Sequence, residues 1–457
     1  MSVVGVGAAV GPLDTSVNIA FPDITGGFGK PLGAIQWVII CYVLTYASLL
    51  LNLGRFADIA GHRRVFVGGL IASVVGLAMC GLAPSYEWLL VARAAQGVGT
   101  GAILATGPAL ITLSFPESLR ARALGGYAMF LSGAMAVGPL LGGVLVSTWG
   151  WPAVFWFRVP IAIVISVLAL VILRAPPAGV RSGRFDFAGA LTLSVALVST
   201  LLTLNRASTL GWGSPTTLGL AVVAIVSGVS FVRIELRAPA PVIHLALFAR
   251  RQFSIANVAN VLAQLASFTV FLLGPYFLVG YMEGRVAQAG LLLGVSPVGG
   301  AITAIIAGRL LGQHSAWALS TIGLGLIATG LTGVTFWTPD TGLPVIVGTL
   351  IVNGIGLGLF QVSNLDYVMG SVPRSQQGVA GALTTLTRTI GVVLGASLGS
   401  VIFTELGGVF PSEGGLTERF IGPYTQVFGL AAGVSAFAAL VMLFGGRETR
   451  GVSERER

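Results

Sequence analysis

Apolar residues run along this chain in long blocks, without the strict alternation of a half-buried strand or the narrow stripe of a soluble helix. A helix needs about 20 such residues to cross a hydrocarbon core of about 30 Å. Polar breaks, often with Gly, Pro or Arg, separate the blocks. The pattern predicts fourteen membrane-spanning helices, at roughly 3–22, 33–53, 65–83, 88–113, 123–147, 154–173, 187–205, 216–233, 254–280, 289–311, 317–337, 343–368, 379–404 and 425–445. Repeated runs of this length argue for helices over a barrel, whose strands need only about ten residues each.

Composition places the chain in a lipid environment. Of 457 residues, 55% are hydrophobic and 9% charged, against about 25% charged in a soluble domain. Too few polar groups remain to cover a water-facing surface. The 65 glycines suit helices that approach one another closely in a bilayer.

The arginines set the orientation. Eighteen lie in even-to-odd loops or the C-terminal tail. Lys30, Arg158, Arg206, Arg285 and Arg419 fall on the opposite face, and Arg93 and Arg388 fall inside spans. This bias predicts a multi-pass protein with both termini in the cytoplasm. The net charge of +9 then reflects topology anchors and contacts with anionic membrane lipids, with no nucleic-acid partner implied. No basic segment precedes the first apolar run, which contains an aspartate and a proline, so a cleavable leader is not expected. Cys41 and Cys80 lie within spans and read as small apolar fillers.

Two polar segments divide the chain. Residues 174–184 and 237–251 are rich in Pro and Arg and read as cytoplasmic linkers. They predict an N-terminal six-helix bundle (1–173), a linker region with two additional helices (174–253), a C-terminal six-helix bundle (254–446) and a cytoplasmic tail (447–457). An even insert leaves the two bundles in the same orientation, as in transporters with a midplane site between two repeats.

Few groups here can carry chemistry. Asp14 is about the twelfth residue of the first span, hence about 16 Å along a helix that rises ~1.5 Å per residue. A carboxylate at mid-membrane is costly and marks a functional site by default. Burial favours the neutral form of such a group, and Arg93 on the fourth span is a candidate partner that opposes this. The alternatives are a carboxylate that only contacts a cationic substrate, or a structural hydrogen bond. Arg93 itself could instead snorkel to the outer interface. After the second span, Gly54, Asp58, Gly61, Arg63 and Arg64 read as a tight loop between two helix ends, or as a basic loop with an incidental acid. Gly138, Pro139, Gly142 and Gly143 loosen the fifth span at its proline, or simply form a small-residue packing face.

The single lysine, Lys30, is followed by Pro31, so there is no phosphate-cradling loop and no ATPase engine. Gly323-Leu324-Gly325-Leu326-Ile327-Ala328 imitates a dinucleotide fingerprint but lies in an apolar span. His62, His244 and His314 form no metal-binding spacing. No enzyme activity, cofactor or metal is expected.

The segments around Asp58, Arg93 and Gly138-Pro139, in this order and on these spans, resemble motifs of the major facilitator superfamily. The helix 5 motif is the mark of its drug:proton antiporters. The run Leu13-Asp14-Thr15-Ser16-Val17-Asn18-Ile19-Ala20, the segment Trp149-Gly150-Trp151-Pro152-Ala153-Val154-Phe155-Trp156-Phe157 and the region Arg388-Thr389-Ile390-Gly391 are similar to the fourteen-spanner branch. Two departures stand out: Ile59 replaces a usually basic residue, and Arg158 stands where a polar uncharged residue is common. The resemblance implies a monomeric plasma-membrane antiporter that exports small amphipathic or hydrophobic compounds in exchange for protons. Asp14 and Arg93 would then serve coupling, the Asp58 segment a cytoplasmic gate, and the proton gradient would replace any cofactor. A charge crossing 100 mV yields about 2.3 kcal/mol, so ~150 mV sustains a gradient of several hundredfold. The alternatives are a dedicated exporter of a lipid, siderophore or metabolite, and a non-transporting receptor or scaffold. A scaffold would be expected to carry a sizeable soluble appendage, which is not evident.

Overall fold

The computed structural model describes residues 2–30, 34–115, 117–173, 186–237, 245–311, 313–372, 377–409 and 416–445. These are almost entirely helical. The first span is composite: α1 (Ser2–Ala9), a 3₁₀ segment (Pro12–Ala20) and α2 (Phe21–Gly27). Pro12, which has no N–H to donate, opens the 3₁₀ segment, whose tighter winding brings Asp14, Thr15 and Ser16 onto adjoining faces. The N-terminal half continues with α3 (Ile35–Ala60), α4 (His62–Gly81), α5 (Tyr86–Ser114), α6 (Glu117–Trp149), the short α7 (Ala153–Trp156) and α8 (Arg158–Ile172). Two inserted helices follow, α9 (Phe187–Leu210) and α10 (Pro215–Glu235). The C-terminal half comprises α11 (Arg251–Tyr281), α12 (Val286–Leu310), α13 (Ala316–Val334), α14 (Leu343–Gly370), α15 (Gln377–Glu405) and α16 (Glu418–Gly445).

Among the described residues, twelve stretches are long and apolar enough to cross a membrane, and α3 and α9 add the shorter apolar stretches Ile35–Leu50 and Ala188–Thr200. Together they account for the fourteen predicted spans. Local chemistry sets several boundaries. The side chains of Ser85, Asp186, Ser214 and Ser315 accept hydrogen bonds from the backbone N–H three residues on, capping α5, α9, α10 and α13. The expected loop after the second span is compressed. α3 runs on through Gly54 and Asp58, and the reversal falls on Gly61 alone, whose φ of 98° favours a residue without a Cβ.

Burial separates the helices by role. α11 is buried along most of its length. α10 exposes Leu218, Val222, Val223, Ile225, Val226 and Val229, the surface expected of a lipid-facing helix. α9 carries α10 and docks on α3, where Ser194 Oγ donates to the Ser48 carbonyl at 3.2 Å. The inserted pair sits alongside the α3–α15 seam, where α9 touches a helix of each half, and the halves meet one another mainly through α6–α12 and α3–α15. At the first seam, a Cβ on Gly290 would lie 2.7 Å from the Pro139 carbonyl, and one on Gly143 would lie 3.0 Å from Gly290 Cα. Only glycine permits that approach. The contact joins the C-terminal half of α6 to the first turns of α12, so the halves close at the end away from the chain's N-terminus.

Candidate functional site

Asp14 lies at the centre of a buried ionic cluster assembled from three spans. Arg93 of α5 grips it with a two-pronged fork, Nη1 to Oδ1 and Nη2 to Oδ2, both at 2.7 Å. Arg158, the first residue of α8, donates Nη1 to Oδ1 at 2.8 Å. Gln96, one helical turn after Arg93, donates Nε2 to the same oxygen at 3.2 Å and accepts from Arg93 Nη1 at 2.8 Å. Such charge-assisted, bidentate contacts are the strong class of hydrogen bond.

The arginines are fixed from behind. Arg93 Nε donates to the Val38 carbonyl at 2.8 Å, and Arg158 Nε donates to the Val154 carbonyl at 3.1 Å. The Tyr42 ring covers Arg93, with its centroid 4.2 Å from the guanidinium carbon, and Phe155 flanks both arginines. Tyr42 Oη contacts the Gly11 carbonyl and Thr100 Oγ1, each at 3.3 Å, tying the ring to the first span and to α5. The side chains of Arg93 and Arg158 are 2% and 0% exposed, whereas that of Asp14 is 14% exposed. Asp14 is therefore the least buried of the three charged side chains.

The next residue links this cluster to the seam. Thr15 Oγ1 lies 3.0 Å from the Pro12 carbonyl and 3.1 Å from the Met135 carbonyl of α6. Gly138 packs against Thr15, and a Cβ on Gly142 would sit 2.6 Å from the Ser16 carbonyl. The glycines of the fifth span thus have two faces, one against the segment that bears Asp14 and one against α12. From the C-terminal half, α15 sends Arg388 towards α6, its Nη2 3.5 Å from Met135 Sδ. The C-terminal half otherwise offers neutral amides and hydroxyls: Asn257, Asn260 and Thr387 form a hydrogen-bonded group between α11 and α15.

Asp14 and Arg93 are thus in direct contact, and Arg93 does not snorkel. Arg158 requires a correction. Counted among the charges of the outer face, it is instead fully buried and paired with Asp14. Its position within the apolar run 154–173 was the available signal. Gln96 and Tyr42 carried no comparable mark. Gly54, Gly61, Arg63 and Arg64 lie apart from this cluster, at the other end of α3. There Arg63 Nη2 donates to the Leu170 carbonyl near the end of α8 at 2.6 Å, and Arg64 is exposed. The Asp58 side chain lies outside the described residues. Both cysteines are free, and Cys80 Sγ sits 3.8 Å from Gln96 Oε1. The glycines of the 323–328 run carry no nucleotide-binding geometry, since Gly323 packs against Gly356 and Phe360 of α14.

Comparison with known proteins places this geometry in a lineage. The riboflavin transporter RibZ of Clostridioides difficile is 26% identical over 448 residues, covering 98% of this chain and 97% of its own. The multidrug resistance protein Stp of Mycobacterium tuberculosis is 31% identical over 389 residues, covering 84% of this chain and 72% of its own. The tetracenomycin C resistance and export protein of Streptomyces glaucescens is 30% identical over 416 residues, 90% of this chain and 77% of its own. Among solved structures, the nucleoside transporter NupG superposes with a TM-score of 0.67 at 13% identity, covering 97% of this chain and 99% of that one. The sequence profile of the Major Facilitator Superfamily matches residues 4–396 and 256–457. The chain is a multi-pass membrane transporter, not an enzyme, and belongs to the major facilitator superfamily.

Proposed function

We propose that this transporter exports amphipathic or hydrophobic compounds from the cytoplasm in exchange for protons, with Asp14 as the coupling group. The observation that carries this reading is the clamp itself: one mid-span carboxylate held by two buried guanidiniums. To accept a proton, the carboxylate must give up at least one of them. Proton uptake is then tied to a rearrangement of the first span against α5 and α8. Thr15, Gly138 and Gly142 transmit such a shift to α6, and Gly143 carries it to Gly290 on α12. A contiguous packed path of this kind is one physical route by which a shift at Asp14 can reach the other half.

With the termini in the cytoplasm, the end closed by α6 and α12 is the outer one. This suits a protein poised to load from the inside. The names of two relatives, a multidrug resistance protein and an antibiotic resistance and export protein, support the substrate class. The near end-to-end similarity to a riboflavin transporter supports a second reading, a transporter dedicated to one metabolite. Purified protein in proteoliposomes separates the two. Under an imposed pH gradient, several unrelated amphipathic dyes should accumulate on the acidic side, and a protonophore should abolish this. Accumulation of a single compound would favour the dedicated reading, and gradient-independent accumulation would refute proton exchange.

A further inference from the structure

The charges at the centre of the protein do not balance. One carboxylate, Asp14, faces Arg93 and Arg158 from its own half, and Arg388 approaches from the other. Arg93 is fully engaged through Nε, Nη1 and Nη2. Arg158 is not, because its Nη2 is buried with no hydrogen-bond acceptor. Arg388 contacts the Met135 thioether, a weak acceptor. Among the described residues, no carboxylate pairs with it. Ionisable groups within a membrane protein normally pair with one another or with carbonyls, and they mark substrate or ion pathways. The neutral amides of Asn257 and Asn260 supply no counter-charge.

We propose that the transported compounds carry an anionic group on an apolar body, and that this group docks on Arg388, the half-buried guanidinium that no carboxylate of the described residues pairs with. Carboxylates, sulfonates and phosphates all meet the requirement, since each presents the paired oxygens that a guanidinium fork recognises. Arg388 is half-buried, is carried by the opposite half and meets the N-terminal half at Met135. A bound anion would therefore bridge the two halves, where substrate must act to drive closure. Outward movement of an anion also runs with an inside-negative potential, so it adds to the drive from proton exchange. The proposal rests on the proposed transport function, with substrate passing between the two halves, and is independent of which group carries the proton.

The test is equilibrium binding with no gradient imposed, to protein in phosphatidylcholine nanodiscs. Decanesulfonate and decyltrimethylammonium have equal tails and opposite heads. The sulfonate should bind about tenfold tighter or more, the value of one charge-assisted contact. Arg388→Gln should remove about that factor for the sulfonate and leave the ammonium unchanged, and Arg388→Lys should restore part of it. If Arg388→Gln does not fold, the partial loss in Arg388→Lys and the head preference of the unaltered protein still decide the matter. Equal binding of the two heads, or tighter binding of the ammonium, would overturn the proposal, as would an unchanged sulfonate affinity in both variants. Decanesulfonate binding lost when phosphatidylglycerol replaces phosphatidylcholine would assign the site to a lipid headgroup instead and also overturn it. Because no proton gradient is involved, a failure of proton coupling would leave this result intact.

Discussion

At the scale of single residues, the behaviour of Asp14 depends on its company. Removing one partner of a buried ion pair typically costs about 3–5 kcal/mol, because the remaining charge is stranded. Asp14→Asn strands two guanidiniums, so it is expected to lower thermal stability as well as to stop coupling. Adding Arg158→Asn removes one stranded charge. The double variant should melt at a higher temperature than Asp14→Asn alone, yet remain uncoupled. A double variant no more stable than the single one would show that Arg158 does not depend on Asp14. Tyr42 offers a finer probe. Tyr42→Phe loses two long hydrogen bonds but keeps the ring over Arg93, and should cost about 1 kcal/mol or less. Tyr42→Ala also removes the cation–π contact, worth about 2 kcal/mol when desolvated, and should cost clearly more in the same melting assay.

At the scale of elements, the α6–α12 seam is the most exacting contact between the halves. A side chain at Gly290 would meet the Pro139 carbonyl at 2.7 Å, and a backbone carbonyl cannot move aside as a flexible side chain can. Gly290→Val is therefore expected to hold the halves apart at that end while each bundle still folds. A cysteine introduced nearby on α12 should become reactive towards a membrane-impermeant thiol reagent in the variant. Unchanged reactivity together with normal transport would show that the seam need not close. This element was only partly legible in the sequence. The glycines around Pro139 announced close packing, but their partner could not be read, because it depends on how α6 is rotated and on which helix of the distant half arrives there. For the same reason Asp14 and Arg93 stood out as charges in apolar runs, while their contact did not. Arg158 reads as an outer-face charge because it lies near the start of its span, where an arginine ordinarily snorkels to the surface. Gly61 shows the limit of boundary reading: helix α3 runs past the motif glycine Gly54 because glycine is tolerated inside a packed membrane helix.

At the scale of the whole molecule, the sequence carried most of the architecture, since every span is a long apolar run and a bilayer leaves helices few alternatives. The arginine bias predicts an orientation that can be checked directly. Exposed Gly213 and His314 lie at opposite ends of the molecule. In intact cells Gly213→Cys should be labelled by an impermeant thiol reagent and His314→Cys should not, and the reverse pattern would invert the map. The central claim is that one clamped carboxylate couples proton entry to substrate exit. It separates two activities that a transporter normally shows together, because exchange of substrate for substrate needs no net proton movement whereas accumulation against a gradient does. The most direct measurement takes Asp14→Asn in proteoliposomes, with Asp14→Asn/Arg158→Asn as the better-folded companion, and follows both activities with one fluorescent substrate. Exchange retained with pH-driven accumulation abolished is the expected result. Accumulation driven by the imposed pH gradient at a rate close to that of the unaltered protein would contradict the role assigned to Asp14.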